Sequence, residues 1–183
     1  RDVHFFDCPV SGGPEGAERG TLTIMVGGDE TYLPSVRPIL EAMGKDIIYL
    51  GGSGSGQIAK LCHNMLVATI IAGLAEAFTV GAKAGVSPHK LAQVINSGAA
   101  HNRVLFVFGQ NMLQGTYEEV KFSLTHMHKD INLYTKTASS FGVPSLVGVL
   151  INQLFEIAKA NGKGNLDSSA IFQTIQEMAN IYI

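Results

Sequence analysis

The spacing of hydrophobic residues changes near residues 51–56. Before this stretch, apolar side chains form short runs bounded by glycine and proline, which predicts β-strands over residues 4–8, 21–26 and 47–50. Between the last two runs, apolar residues recur at helical spacing, which predicts a helix over residues 31–43. The first part of the chain is therefore predicted to have a β-β-α-β order with glycine-rich joints.

Beyond this change the pattern is helical, and it predicts no further strand. Start and stop signals separate the helices, such as the N-cap Ser87 before Pro88 and the terminating Gly85. We expect a mostly α protein with an α/β piece over residues 1–53 and an all-α domain over residues 54–183. The predicted helices of the second domain cover residues 57–84, 88–96, 102–113, 123–141, 145–160 and 167–178.

The first of these helices carries a lysine and an asparagine on one face. Lys60 and Asn64 are four residues apart, near the start of a helix that is otherwise almost entirely apolar. On spacing alone, the commoner explanation is that Lys60 extends its ammonium group to solvent along an aliphatic stem. The alternative is an acid/base, because a helix N-terminus and desolvation both favour the neutral form of an amine.

A second candidate site is the loop Ser11-Gly12-Gly13 at the end of a predicted strand. Its backbone N–H groups and hydroxyl suit a carboxylate or phosphate oxygen, although a simple turn is the commoner meaning of such a sequence. The segment Gly54-x-Gly56-x-x-x-Lys60 is not a P-loop, because that motif requires Gly-Lys followed by Ser or Thr. No G-x-G-x-x-G dinucleotide motif follows a strand in this sequence.

Composition adds three limits to this picture. Only 15% of the 183 residues are charged, against roughly 25% in typical proteins, so we expect a partner chain or another domain to cover part of the surface. The net charge of −2 gives no electrostatic footprint for nucleic acid. The six histidines lack metal-ligand spacing, and we expect no metal site.

Compartment and membrane signals are few. Cys8 and Cys62 lack CxxC spacing, and we expect reduced thiols. The sequence shows no secretory signal, and the apolar run over residues 65–75 is shorter than the roughly 20 residues that a membrane span needs. We therefore expect a protein of the cytoplasm, or of the mitochondrial matrix in a eukaryote.

Several separated motifs, in their order along the chain, resemble those of the β-hydroxyacid dehydrogenases, the family of 3-hydroxyisobutyrate dehydrogenase. The resemblance extends over essentially all 183 residues. The matching motifs are Asp7-Cys8-Pro9-Val10-Ser11-Gly12-Gly13, Gly16-Ala17, Gly20-Thr21-Leu22, Met25-Val26-Gly27-Gly28, Gly54-x-Gly56-x-x-x-Lys60-x-x-x-Asn64, Glu76-Ala77, Phe122 and Lys129-Asp130.

The resemblance implies an oxidoreductase that transfers a hydride between NAD or NADP and a small β-hydroxy acid or semialdehyde. It implies a Rossmann domain, of which residues 1–53 are the C-terminal part, followed by an all-α domain like that of 6-phosphogluconate dehydrogenase. By the resemblance, the catalytic acid/base is Lys60, the substrate-binding residues are Ser11, Gly12, Gly13, Asn64 and Phe122, and the cofactor-binding residues are Lys129 and Asp130.

The sequence starts at Arg1 without a methionine, and the main dinucleotide-binding motif is absent from it. We expect a fragment that does not turn over by itself. The rival interpretations are a non-catalytic dimerisation or reader module that keeps the dehydrogenase fold, and a small helical scaffold without a pocket beside Lys60. The expected partners are a small carboxylate-bearing substrate and further copies of the chain, as a homodimer or homotetramer through the all-α domain, with neither nucleic acid nor membrane.

Overall fold

A computed structural model describes residues 3–182. The chain divides into two compact units, with the boundary between His63 and Asn64. We call them the N-terminal unit and the helical unit. A small sheet followed by a long series of helices confirms the predicted fold class, which is mostly α with an α/β beginning.

The N-terminal unit is built on a three-stranded sheet in the order β1-β2-β3. Strand β1 pairs antiparallel with β2, with Val10 opposite Ile24, whereas β2 pairs parallel with β3, with Ile24 opposite Ile47. Leu22, Ile24, Val26, Leu33 and Leu40 form its buried core. The elements are β1 (Val10–Ser11), α1 (Gly13–Glu18), β2 (Leu22–Gly27), a 3-10 turn (Glu30–Tyr32), α2 (Leu33–Glu41) and β3 (Gly44–Gly51).

The strand predicted over residues 4–8 is wrong. In this stretch only Asp7 forms an isolated bridge, with Gly27, and the first strand is Val10–Ser11. The apolar side chains suggested a buried strand, but Phe5 is 72% exposed. The six-residue helix α1 replaces part of the expected loop, with Pro14 in its first turn, where a missing N–H costs nothing.

Helix α3 spans Ser55–Lys83 and carries the boundary between the two units. It begins after Gly54, whose φ of 91° is a conformation that favours glycine. It is the one helix in the described part of the chain that is long and apolar enough to cross a membrane, by length and composition alone. A core helix passes the same test, and within the helical unit Ile71, Ala75 and Phe78 of this helix are completely buried.

The helical unit closes around one hydrophobic core, to which the second half of α3 contributes. Phe78 and Phe172 meet edge to face in this core, with 6.1 Å between their ring centroids. The last predicted helix, over residues 167–178, begins with a 3-10 turn, and the described residues after Gly51 contain no strand. The elements after α3 are α4 (Pro88–Ser97), α5 (Arg103–Gln114), α6 (Leu124–Ser140), α7 (Leu146–Ala158), a π-helical turn (Lys159–Lys163), a 3-10 turn (Ser168–Ala170) and α8 (Ile171–Met178).

Candidate active site

Lys60 lies in the second turn of α3 and is directed toward the sheet of the N-terminal unit. Its Nζ donates a hydrogen bond of 2.7 Å to the carbonyl oxygen of Val10. Val10 belongs to β1 and directly precedes Ser11. The lysine ammonium group is therefore held beside the start of the loop Ser11-Gly12-Gly13.

That loop leaves β1 through two glycines with positive φ, 138° at Gly12 and 65° at Gly13. Space is limited at Gly12, where a Cβ would lie 3.0 Å from Cδ2 of Leu22. The hydroxyl of Ser11 lies 3.5 Å from Nε2 of His63, which also belongs to α3. The loop therefore needs glycine for its path, and its one hydroxyl contacts the same helix that carries Lys60.

Asp7 connects this part of the sheet to the start of α3. Its buried carboxylate accepts hydrogen bonds from the backbone N–H groups of Gly54, at 2.6 Å, and Gln57, at 2.9 Å. Burial by itself raises the pKa of Asp7, but these and further backbone hydrogen bonds outweigh it and lower the pKa below its usual value. This role of Asp7 could not be predicted from the sequence, because its partners lie 47 and 50 residues away.

In the helical unit, Asn64 and Asp130 form a buried pair. Nδ2 of Asn64 donates to Oδ2 of Asp130 at 2.6 Å. The other carboxylate oxygen lies 2.8 Å from Nζ of Lys129, whose side chain is 61% exposed. The structure thus brings together three of the residues singled out in the sequence, and one carboxylate holds both an amide and an ammonium group.

Phe122 is half-buried and packs against the core of the helical unit. Its ring lies 5.9 Å from that of His126. The buried carboxylate of Asp167 accepts from the backbone N–H of Phe122 at 3.2 Å, and the hydroxyl of Ser168 donates to the Phe122 carbonyl at 2.6 Å. These contacts fix the backbone of Phe122 just before α6, the helix that carries Lys129 and Asp130.

Across residues 3–182, no group of three or more His, Cys, Asp or Glu side chains is arranged to hold a metal ion. The polar groups around Lys60 and around Asp130 are instead hydrogen-bond donors and acceptors.

Comparison with known proteins identifies the family. The family model described as the NAD-binding domain of NADP-dependent 3-hydroxyisobutyrate dehydrogenase matches residues 54–175. The model described as the NAD-binding domain of 6-phosphogluconate dehydrogenase matches residues 1–51. The resemblance inferred from the sequence is therefore confirmed.

Similar proteins have related names. The chain is 38% identical to 2-hydroxy-3-oxopropionate reductase of Escherichia coli, over 96% of this chain and 60% of that protein. It is 37% identical to mitochondrial 3-hydroxyisobutyrate dehydrogenase of Mus musculus, over 94% of this chain and 53% of that protein. A solved structure of Mycobacterium tuberculosis 3-hydroxyisobutyrate dehydrogenase with L-serine superposes with a TM-score of 0.85 at 32% identity. The superposition covers 93% of this chain and 60% of that one. The chain thus spans little more than half the length of these relatives, and it belongs to the β-hydroxyacid dehydrogenase family.

Proposed function

We propose that the protein containing this chain is an NAD(P)-dependent oxidoreductase that acts on a small β-hydroxy acid or semialdehyde. The observation that carries the proposal is the 2.7 Å hydrogen bond from Lys60 to Val10, which holds a cation beside the loop Ser11-Gly12-Gly13. A cation next to a loop that offers backbone N–H groups and a hydroxyl suits a substrate that has a carboxylate near the reacting oxygen. The names of the two curated relatives agree with this substrate class.

Lys60 acts as the acid/base. When the carbonyl is reduced, the lysine ammonium group donates a proton to the oxygen as negative charge develops there, and in the reverse direction the amine accepts the hydroxyl proton. The positive charge also stabilises the developing alkoxide. The carbonyl of Val10 orients the ammonium group for this transfer.

The loop Ser11-Gly12-Gly13 binds the substrate carboxylate through the Ser11 hydroxyl and the backbone N–H groups. We assign Asn64 to substrate binding, and Asp130 fixes the orientation of its amide. A carboxylate only accepts hydrogen bonds, so Asn64 presents its NH₂ group to Asp130 and its carbonyl oxygen to the opposite side. Phe122 borders the substrate.

We propose that residues of this chain would border the nicotinamide end of bound NAD or NADP. The two parallel strands β2 and β3 end at Gly27 and Gly51, and dinucleotides bind at the carboxyl ends of such strands. A Cβ on Gly52, which follows β3, would meet nothing within 4 Å, so this end of the sheet leaves space. The bound cofactor supplies the hydride, and we assign Lys129 and Asp130 to its nicotinamide end.

The test is Lys60→Met in the complete protein, which keeps an unbranched side chain one atom shorter and removes the proton donor. We expect kcat for reduction of a short semialdehyde by NADH or NADPH to fall by about 10²- to 10⁴-fold. The matched control is Lys45→Met, at an exposed lysine of β3 in the same unit, which should leave kcat unchanged. Turnover that survives Lys60→Met would refute the acid/base assignment.

Two further parts of the proposal concern the surroundings of the protein. We propose that it works as a homodimer or homotetramer through the helical unit, because many aliphatic side chains of α7 are exposed.

We also propose a cytoplasmic location, or a mitochondrial one in a eukaryote, as the name of the mouse relative suggests. Neither nucleic acid nor a membrane is a proposed partner. A non-catalytic module of the same fold would give an oligomer without turnover of any semialdehyde tested.

A further inference from the structure

We infer that Asp7 is the positioning residue for the Lys60 acid/base, an inference that rests on the proposed function. Asp7 is connected to Lys60 by two separate routes. Its side chain holds the first turn of the helix that carries Lys60, and its backbone holds the segment that provides the hydrogen-bond acceptor of Lys60. Both routes lie entirely within the N-terminal unit.

The side-chain route is a cap on α3. Oδ1 of Asp7 accepts from the N–H of Gly54 at 2.6 Å and Oδ2 accepts from the N–H of Gln57 at 2.9 Å. The first N–H groups of a helix lack partners within the helix, so a carboxylate that takes two of them fixes its position. Gln57 lies less than one helical turn before Lys60.

The backbone route runs through residues 7–10. Asp7 and Gly27 exchange two backbone hydrogen bonds, of 3.0 and 2.9 Å, and Met25 donates to Pro9 at 2.9 Å. The segment is therefore tied to β2 up to the residue that precedes Val10. The carbonyl of Val10 then accepts a hydrogen bond from Nζ of Lys60. Asp7 is thus connected to Lys60 through its backbone as well as through its side chain.

Two glycines leave the space that the carboxylate of Asp7 occupies. A Cβ on Gly27 would lie 2.6 Å from its Oδ1, and a Cβ on Gly56 would lie 2.8 Å from its Oδ2. Real contacts of a Cβ are longer than this, so both positions exclude any larger residue. The carboxylate fills the space that these glycines leave, and it has little room to change its orientation.

The charge of Asp7 also bears on proton transfer. The carboxylate sits at the positive end of the α3 dipole and compensates it. Without that negative charge, the uncompensated helix end would disfavour the ammonium form of Lys60. A positioning residue of this kind therefore affects both the place of the acid/base and the pH at which it works.

The experiment compares Asp7→Asn with Asp29→Asn in the complete protein. Asp29 caps the 3-10 turn Glu30–Tyr32 through a 3.0 Å bond from Thr31 N, so the control removes the same charge and a similar cap from the same unit. For Asp7→Asn we expect kcat to fall about 10-fold or more, because small displacements of a catalytic group are costly. We also expect a change in the dependence of kcat on pH: the limb that reports the ionisation of Lys60 should move to lower pH. Asp29→Asn should change neither.

A second variant covers the case in which Asp7→Asn does not fold. Asp7→Ser removes the charge without placing an amide NH₂ group against the N–H groups of Gly54 and Gln57, and it should show the same movement of the pH limb. Circular dichroism at the assay temperature identifies which variant is folded.

The failure of this inference is distinct from the failure of the proposed function. Wild-type kcat and an unchanged pH profile in a folded Asp7 variant would overturn it, as would an effect confined to KM, provided that Lys60→Met is inactive. Full activity of Lys60→Met would instead refute the proposed function.

Discussion

At the scale of single residues, Asn64 and Asp130 are two buried polar side chains that form a hydrogen bond with each other. Asn64 is 4% exposed and Asp130 is 7% exposed, so each needs a partner for its polar atoms. Their bond of 2.6 Å gives each group a buried partner, and the ion pair with Lys129 adds a contact at the surface. The interior bond should therefore matter more for stability than the exposed ion pair.

We predict that Asp130→Ala lowers the free energy of unfolding by about 1 to 3 kcal/mol, because it leaves the buried amide of Asn64 without this acceptor. Lys129→Ala, which removes only the exposed end of the same cluster, should cost less than about 1 kcal/mol. Urea denaturation of both variants measures the difference. Equal losses would mean that the ion pair carries as much stability as the buried bond.

At the scale of elements, the local start signals explain why the helices of the second unit were predictable. Ser87 before Pro88, Asn102 and Ser123 each precede a helix within a residue or two of the predicted start. Two of these residues accept a hydrogen bond from the helix that they precede: Asn102 from Leu105 N and Ser123 from His126 N. Such signals consist of residues adjacent in sequence, so they predict a helix start without knowledge of the fold.

The beginning of the chain was harder to predict for the opposite reason. Phe5 and Phe6 look like part of a buried strand, but whether a segment joins a sheet depends on what lies beside it. Helix α1 has only Gly16 buried, so no apolar periodicity marks it. In the site, the i and i+4 spacing singled out Lys60 and Asn64. Two residues that accept hydrogen bonds from these side chains, Val10 and Asp130, lie 50 and 66 residues away, so these contacts are visible only in the structure.

Helix α3 offers a matched pair of glycines for a stability test. A Cβ on Gly56 would contact the carbonyl oxygen of Met25 and lie 2.8 Å from Oδ2 of Asp7, whereas a Cβ on Gly73 would meet nothing within 4 Å. We predict that Gly56→Ala destabilises the protein by about 1 to 3 kcal/mol through overpacking. Gly73→Ala should stabilise it by up to about 1 kcal/mol, since alanine favours a helix interior. Thermal or urea unfolding of the two variants gives the signs, and a stabilising Gly56→Ala would contradict the close packing.

At the scale of the whole molecule, the exposed aliphatic residues of α7 match the low charge content of the sequence. Leu146 is 82% exposed and Leu150 is 68% exposed, and they lie on one face because they are four residues apart. Val147 and Val149 are more than half exposed as well. Monomeric proteins rarely expose contiguous apolar patches of large size, so this face is our candidate for the interface between copies of the chain.

We predict that Leu150→Lys shifts the complete protein toward smaller species in light scattering, because it places a charge in the proposed interface. Val94→Lys, at a valine of α4 that is 66% exposed, provides a control for the introduced charge and should leave the mass unchanged. A wild-type protein that is monomeric at all concentrations tested would contradict the proposed oligomer.

The contacts around Asp7 also have a consequence for the order of folding. The three hydrogen bonds that hold Lys60 and the start of its helix join residues 47, 50 and 50 positions apart. Contacts of such separation form late, since the entropy of closing a long loop is lost before they bring any gain. Strands β2 and β3 and helix α2 lie within that loop, and their own pairing shortens it. The lysine should therefore reach its final place only when the sheet is complete, so that a helix formed on its own carries Lys60 without a working site.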